Sequence, residues 1–216
     1  ADGYGRGEGA GIAVLKPYSQ ALRDGDSIYA VIRGTGVNQD GRTDGITVPN
    51  PESQEVLVRR VMQEAGVTAR ELAYIEAHGT GTAVGDPLEA SALAAAVGRQ
   101  REGQAIPIGS VKANIGHLEA AAGIASLIKA ALVLSKRQVP PVANLGQPNP
   151  KIPFEEWNLR LPRSLEPLAG EAGASKALGI IRSEMMTAMA NIGVNTLDEL
   201  GPHLFEIPGR NSSQFR

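Results

Sequence analysis

Apolar positions in this chain fall into short runs separated by polar, glycine-rich or proline-rich stretches. The runs Ile12–Leu15 and Ile28–Ile32 flank a polar connector with Asp24 and Gly25, a pattern that predicts a β-hairpin. Residues 34–50, rich in Gly, Asn, Asp and Thr, predict loop. Pro51 is suited to open a helix. Val56, Val58, Val61 and Met62 follow at roughly helical spacing, as far as Ala65 and Gly66. Thr68 and Glu71 have the spacing of a capping box for a short helical turn. The segment LAYIEA, 72–77, predicts a short buried strand ending at His78 and Gly79.

A second helix is predicted over 87–98, opened by Pro87 and carrying Leu88, Leu93 and Val97. Residues 105–113 read as a strand and a turn. Residues 117–135 read as a helix that is apolar nearly all round, with Leu118, Ile124, Leu127, Ile128, Leu132 and Leu134. Such a helix is usually buried inside a larger protein. The proline-rich stretch 139–168 forbids regular helix for most of its length, and 169–175 reads as a connector. Beyond it, Leu178, Ile181, Met185, Met189 and Ile192 share one helical face. Gly193 can end that helix, and Thr196 and Glu199 form a second capping-box pattern. The order of elements predicts a layered α/β arrangement. His78 and His117 both fall at the end of a strand or the start of a helix, where open α/β sheets keep their sites.

Composition narrows the function classes. Apolar residues make up 42% of 216, enough for a substantial core, whereas aromatics are only 4%. That favours close packing of small residues over a ligand cage of rings. A net charge of -2 gives no reason to expect nucleic acid or an anionic membrane as partner. No charge-free apolar stretch is long enough to span a bilayer, no signal peptide is visible, and a cytoplasmic location is expected. Cysteine is absent, so disulfides, thiolate metal sites and a cysteine nucleophile within this chain are excluded. The opening at Ala1, inside a glycine-rich run, reads as a piece of something longer.

Three chemistries compete. The run GYGRGEGAG (3–11) and the segment HGTGTAVGD (78–86) both miss the spacing of dinucleotide and phosphate loops. Their glycines read as turns and close backbone approaches. His78, His117, Glu76, Asp86 and Glu89 could gather round a metal, but no metal-ligand pair such as HExxH supports this, and none is expected. The third is acid–base or electrophilic catalysis by two imidazoles. His117 is expected in the first turn of a buried helix, whose dipole disfavours imidazolium, so the ring would stay neutral and donate a hydrogen bond. If the two turns converge, Lys112 and Glu89 can pair; otherwise they are solvated charges on separate surfaces. His203 reads as surface or packing.

Two segments carry a resemblance: IEAHGTGTAVGDPLEASAL (75–93) and IGSVKANIGHLEAAAGIASLIKAALVL (108–134). With ADGYGRGEGAGIAVLKP at the start and PNPKIPFEEWNLRLP near 150, they resemble the β-ketoacyl synthase (ketosynthase) domains of modular type I polyketide synthases. The resemblance covers residues 1 to about 165. Fatty acid synthases share the fold but resemble the wording less closely.

The resemblance implies a partial thiolase-like layered α/β fold: the end of the first half plus much of the second. Residues 1–168 would be a partial ketosynthase domain and 169–216 a divergent, mostly helical tail. The family reaction is decarboxylative Claisen condensation of acyl and malonyl-type thioesters held on acyl carrier protein. His78 and His117 would act on the extender thioester and its enolate, with Lys112 and Glu89 as the supporting charged pair. Thr80 and Thr82 would contact the phosphopantetheine arm, which the partner carrier protein bears; no cofactor is expected on the chain itself. Homodimerisation is expected of the parent, and the missing half of the domain is a further partner. Without the family's nucleophilic cysteine the fragment alone should be inactive, which leaves a non-catalytic carrier-binding remnant as the alternative. The tail weakly resembles the final helices of flavin-dependent α-hydroxy acid oxidases over some thirty residues, without a flavin motif.

Overall fold

The computed structural model describes residues 3–43, 45, 48–102, 104–169 and 176–179. In chain order its first elements are α1 (Tyr18–Asp24), α2 (Pro51–Glu64), β1 (Leu72–Glu76), α3 (Gly85–Ala96) and β2 (Ile106–Gly109). There follow α4 (Lys112–Ile115), α5 (Ala122–Lys136), β3 (Gln138–Val139), β4 (Leu159–Arg160), β5 (Glu166–Pro167) and β6 (Lys176–Gly179).

β4, β2, β1 and β6 lie side by side in that order, all parallel. β3 and β5 form a separate antiparallel ladder. Parallel strands covered on both faces read as unbroken apolar runs. Accordingly, every residue of β1 and β2 is buried. Successive side chains of a strand point to opposite faces, and a register irregularity between Leu72 and Tyr74 breaks that alternation near the start of β1. Ile75 joins Val58 and Met62 of α2, Leu93 of α3, Val97 just beyond it, and Ile106 in one core cluster. Ala73 and Tyr74 join Val133 of α5, Val139 and Leu168 in a second. The sheet is thus sandwiched between α2 and α3 on one side and α5 on the other. Each fully buried Leu or Ile contributes about 1.5–3 kcal/mol.

The caps follow the local chemistry. Asn50 caps α2, its side chain accepting from the backbone N–H of Glu52 and Ser53, and Pro51 stands in the first turn. Thr68 and Glu71 form the capping box of a short 3-10 turn.

Four expectations are corrected. There is no hairpin at Ile12–Leu15 and Ile28–Ile32, because α1 stands between them. Gly25, in the left-handed region at φ 69°, caps that helix through its N–H instead of turning a hairpin. The apolar runs lie open to solvent, with Val14 92% exposed. No other described strand pairs with them, and a lone ribbon is marginal in water. In α2, Val56 faces solvent and Leu57 is buried with Val58 and Met62.

The helix expected from 117 starts at Ala122, after a 3-10 turn over Glu119–Ala121. Gly116 at φ 75° and Glu119 at φ 53° interrupt helical geometry before it can begin. His117 therefore lies ahead of the helix, and the dipole reading of its neutrality falls away. Leu178 belongs to β6 and not to a helical face. The remainder of the expected tail helix, the second capping box and His203 lie outside the described residues.

Candidate active site

The register pairs Glu76 with Gly109. β1 and β2 therefore deliver their carboxyl ends side by side, where an open α/β sheet builds its site. His78 follows β1. After β2 the chain turns through Ser110 and α4 to Gly116, whose φ of 75° swings it back, and reaches His117. The two rings meet edge to face, with centroids 5.5 Å apart and planes at 84°. His117 is buried and His78 half-buried.

Hydrogen bonds stitch the two turns together. Ser110 Oγ donates to the carbonyl of His78 at 3.1 Å. The glycine-rich segment near the amino end lies across both turns. Gly3 donates its N–H to the carbonyl of Gly81 at 2.9 Å. His117 donates to the carbonyl of Gly5 at 2.9 Å, and Gly7 donates to the carbonyl of His117 at 3.0 Å. Tyr4 lays its ring 4.8 Å from that of His117. Within this segment Gly7 serves close backbone approach, since a Cβ there would lie 2.4 Å from the carbonyl oxygen of Ile115.

The start of α3 reaches back over the first turn. Glu89 accepts the N–H of His78 on Oε1 at 2.8 Å and of Gly79 on Oε2 at 2.9 Å. Asp86 accepts the N–H of Gly81 at 2.9 Å. Two carboxylates one helical turn apart thereby hold three loop amides, those of His78, Gly79 and Gly81. Burial pushes both carboxyl groups above their ordinary range. The nearby His78 and the donated N–H groups act in the opposite sense without overcoming it. Thr80 is buried, and Thr82 Oγ1 accepts the N–H of Gly85 at 3.0 Å.

On His117, Nδ1 accepts the N–H of Glu119 at 2.9 Å. A neutral His117 therefore carries its proton on Nε2 and offers it as a donor. Lys112 is buried in α4. It lines, with Glu89, Asp86, Gly79, Asn144 and Phe154, a cavity of about 550 Å³. Tyr4 also faces that space, and the imidazole pair lies beside it and not in its wall. Lys112 and Glu89 thus share one cavity. Among the described residues no three His, Cys, Asp or Glu side chains gather for a metal ion.

Sequence reasoning weighed Asp86 only as a metal ligand and passed over Tyr4. The signal for Asp86 was its place in the first turn of α3, with Glu89 one turn further on, directly after a glycine-rich loop with orphan amides. Nothing local marked Tyr4.

With this geometry in hand, comparison with known proteins is direct. The family described as beta-ketoacyl synthase, C-terminal domain, matches residues 29–146. Highly reducing polyketide synthase 40 of Fusarium pseudograminearum is 56% identical over 169 residues, covering 77% of this chain and 7% of that protein. Polyketide synthase GfsA of Streptomyces halstedii is 49% identical over 178 residues, covering 82% of this chain and 2% of that protein. Among solved structures, the oxazolomycin ketosynthase domain OzmH KS7 of Streptomyces albus JA3453 superposes with a TM-score of 0.69 at 41% identity. That match covers 72% of this chain and 27% of the domain. The ketosynthase from module 6 of the bacillaene synthase of Bacillus subtilis 168 gives 0.69 at 39%, covering 73% and 28%. The chain belongs to the β-ketoacyl synthase family of polyketide synthases and has part of the thiolase-like α/β fold. It spans 7% or less of the length of these two curated relatives. No described helix is long and apolar enough to cross a membrane.

Proposed function

We propose that this chain supplies the two-histidine part of a polyketide synthase ketosynthase. The observation that carries the proposal is the convergence of His78 and His117, ring centroids 5.5 Å apart, at the ends of adjacent parallel strands. In the reaction, a malonyl-type thioester on acyl carrier protein loses carbon dioxide. The electrons of the broken C–C bond move onto the thioester carbonyl as an enolate. The enolate carbon then attacks a waiting acyl thioester, and the thiolate of that thioester leaves. The Nε2–H of His117 and the ring of His78 donate hydrogen bonds to the developing oxyanion, usually a large share of rate enhancement. Lys112 and Glu89 hold the electrostatic frame behind the rings. The Thr82 hydroxyl, which accepts from Gly85, still has its own proton to give to an amide oxygen of the phosphopantetheine arm; Thr80 stands beside it.

The acyl-bearing cysteine of the condensation is not in this chain, which has none. Alone, the chain therefore performs no full condensation. Residues 1–168 make up the ketosynthase part and 169–216 a divergent tail, in a parent that dimerises. The test is malonyl-carrier decarboxylation and acyl transfer by this chain with and without His78→Ala and His117→Ala. Full turnover by the chain alone refutes the reading of inactivity. The absence of cysteine also favours a second reading, a carrier-binding remnant. Capture of phosphopantetheinylated carrier protein that both alanine variants leave unchanged supports that second reading over the first.

A further inference from the structure

Directly beneath the two histidine turns lies a buried charged cluster. Glu76 ends β1 and is completely shielded from solvent. Its Oε2 accepts the Tyr74 hydroxyl at 2.6 Å and pairs with the Lys129 ammonium of α5 at 2.9 Å. Its Oε1 accepts the backbone N–H of Val111. Val111 opens the turn that carries Lys112 and His117. One carboxylate thus ties together β1, α5 and that turn.

Stability alone does not account for such a cluster. Desolvating an ion pair is costly, and a well-packed apolar pair of the same volume is often as stable or more so. The space is also shaped for the cluster. A Cβ on Gly109, the register partner of Glu76, would lie 2.5 Å from the Tyr74 hydroxyl. We infer that Glu76 is a positioning residue: anchored on Lys129 and Tyr74, it holds the Val111 N–H and so sets where the turn carrying Lys112 and His117 stands relative to His78. Its catalytic sense rests on the two-histidine reading above; the placement of the rings does not.

The test reads ring placement in the full 216-residue chain, by long-range ¹H–¹⁵N spectra of the imidazoles. Only three histidines contribute. Glu76→Ala is expected to shift the ring signals of His117 and His78. Val111→Pro removes the donor alone, at a backbone φ of -61° that proline adopts, and is expected to shift the same signals. Glu76→Gln combined with Lys129→Met keeps an acceptor for Val111 without either charge, and is expected to bring the signals back toward their wild-type positions. A merely structural Glu76 lowers the melting temperature of these variants and leaves the ring signals of the folded form where they were; that result overturns the inference. So does failure of the double variant to restore the signals. Should Glu76→Ala not fold, Val111→Pro and the double variant decide the question. Shifted rings together with carrier-protein capture that His78→Ala and His117→Ala leave unchanged keep the positioning role standing and remove the two-histidine function proposed above.

Discussion

His78 and His117 meet edge to face at 5.5 Å although one follows β1 and the other lies beyond β2. Parallel neighbours bring their ends to the same edge of the sheet, and the segment Gly3–Gly7 then seats His117 from a third side. The site is therefore a three-segment assembly, and each segment can be loosened separately.

The amino-terminal seat gives the simplest contrast. A Cβ on Gly7 would lie 2.4 Å from the carbonyl oxygen of Ile115, whereas one on Gly5 meets nothing within 4 Å. Gly7→Ala must push the segment off His117 and is expected to cost about 1–3 kcal/mol, the usual range for overpacking. Gly5→Ala is expected to stay within about 0.5 kcal/mol of wild type. Urea unfolding of the two variants checks the difference, and equal stabilities refute it.

Acyl-enzyme formation offers a chemical test. The chain holds no cysteine, so a thioester substrate has no thiolate to acylate here. Intact-mass measurement after incubation with an acylated carrier protein is expected to show an unchanged chain. A stable gain of one acyl group would reveal another nucleophile and reopen the mechanism.

What was legible beforehand were features written in neighbouring residues. Asn50 with Pro51, Thr68 with Glu71, and the apolar run LAYIE each specify their element within a few positions, and each formed as expected. The placement of His78 just after β1 followed from the same local signals, whereas His117, expected inside a helix, lies ahead of one. What misled was a pair of apolar runs with no described partner strand. Ile12–Leu15 and Ile28–Ile32 have a strand's pattern, but a strand needs a neighbour to bond with. The start of α5 was misread because composition continues smoothly through 117–121 while the backbone does not. The Tyr74–Glu76–Lys129 cluster was invisible because β1 and α5 meet only in three dimensions.

Glu89 allows a signed pH prediction. Its pKa in the folded chain is raised above the ordinary 4.5, chiefly by burial. A raised carboxyl favours folding fully below the unfolded value and loses that contribution as pH rises through the folded one. Glu89→Gln cannot ionise. The stability of wild type relative to Glu89→Gln is therefore expected to fall as pH rises from 4.5 through the folded value. Denaturant unfolding across that window checks this, and a relative stability that rises with pH would contradict it.

Tyr74 provides the complementary test at high pH. Burial, then the charge of Glu76 and the hydrogen bond to it, push its phenol far above the ordinary 10.0. Ionising it would set a tyrosinate beside a buried carboxylate. Its neutral form therefore supports the fold fully below pH 10, and that support is lost only as pH rises toward the folded value. In a spectrophotometric titration of tyrosinate absorbance, Tyr74 is expected to ionise only as the chain unfolds. Tyr74→Phe is expected to abolish that late step and leave the earlier part of the curve in place. The same variant leaves Glu76 Oε2 with Lys129 but without the hydroxyl at 2.6 Å. A hydrogen bond to a charged group contributes about 1.5–3 kcal/mol, and a loss of that order is expected near neutral pH. A Tyr74→Phe chain that loses its tyrosinate signal from the early part of the curve would mean that the phenol reaches solvent and that the Glu76 cluster is not closed.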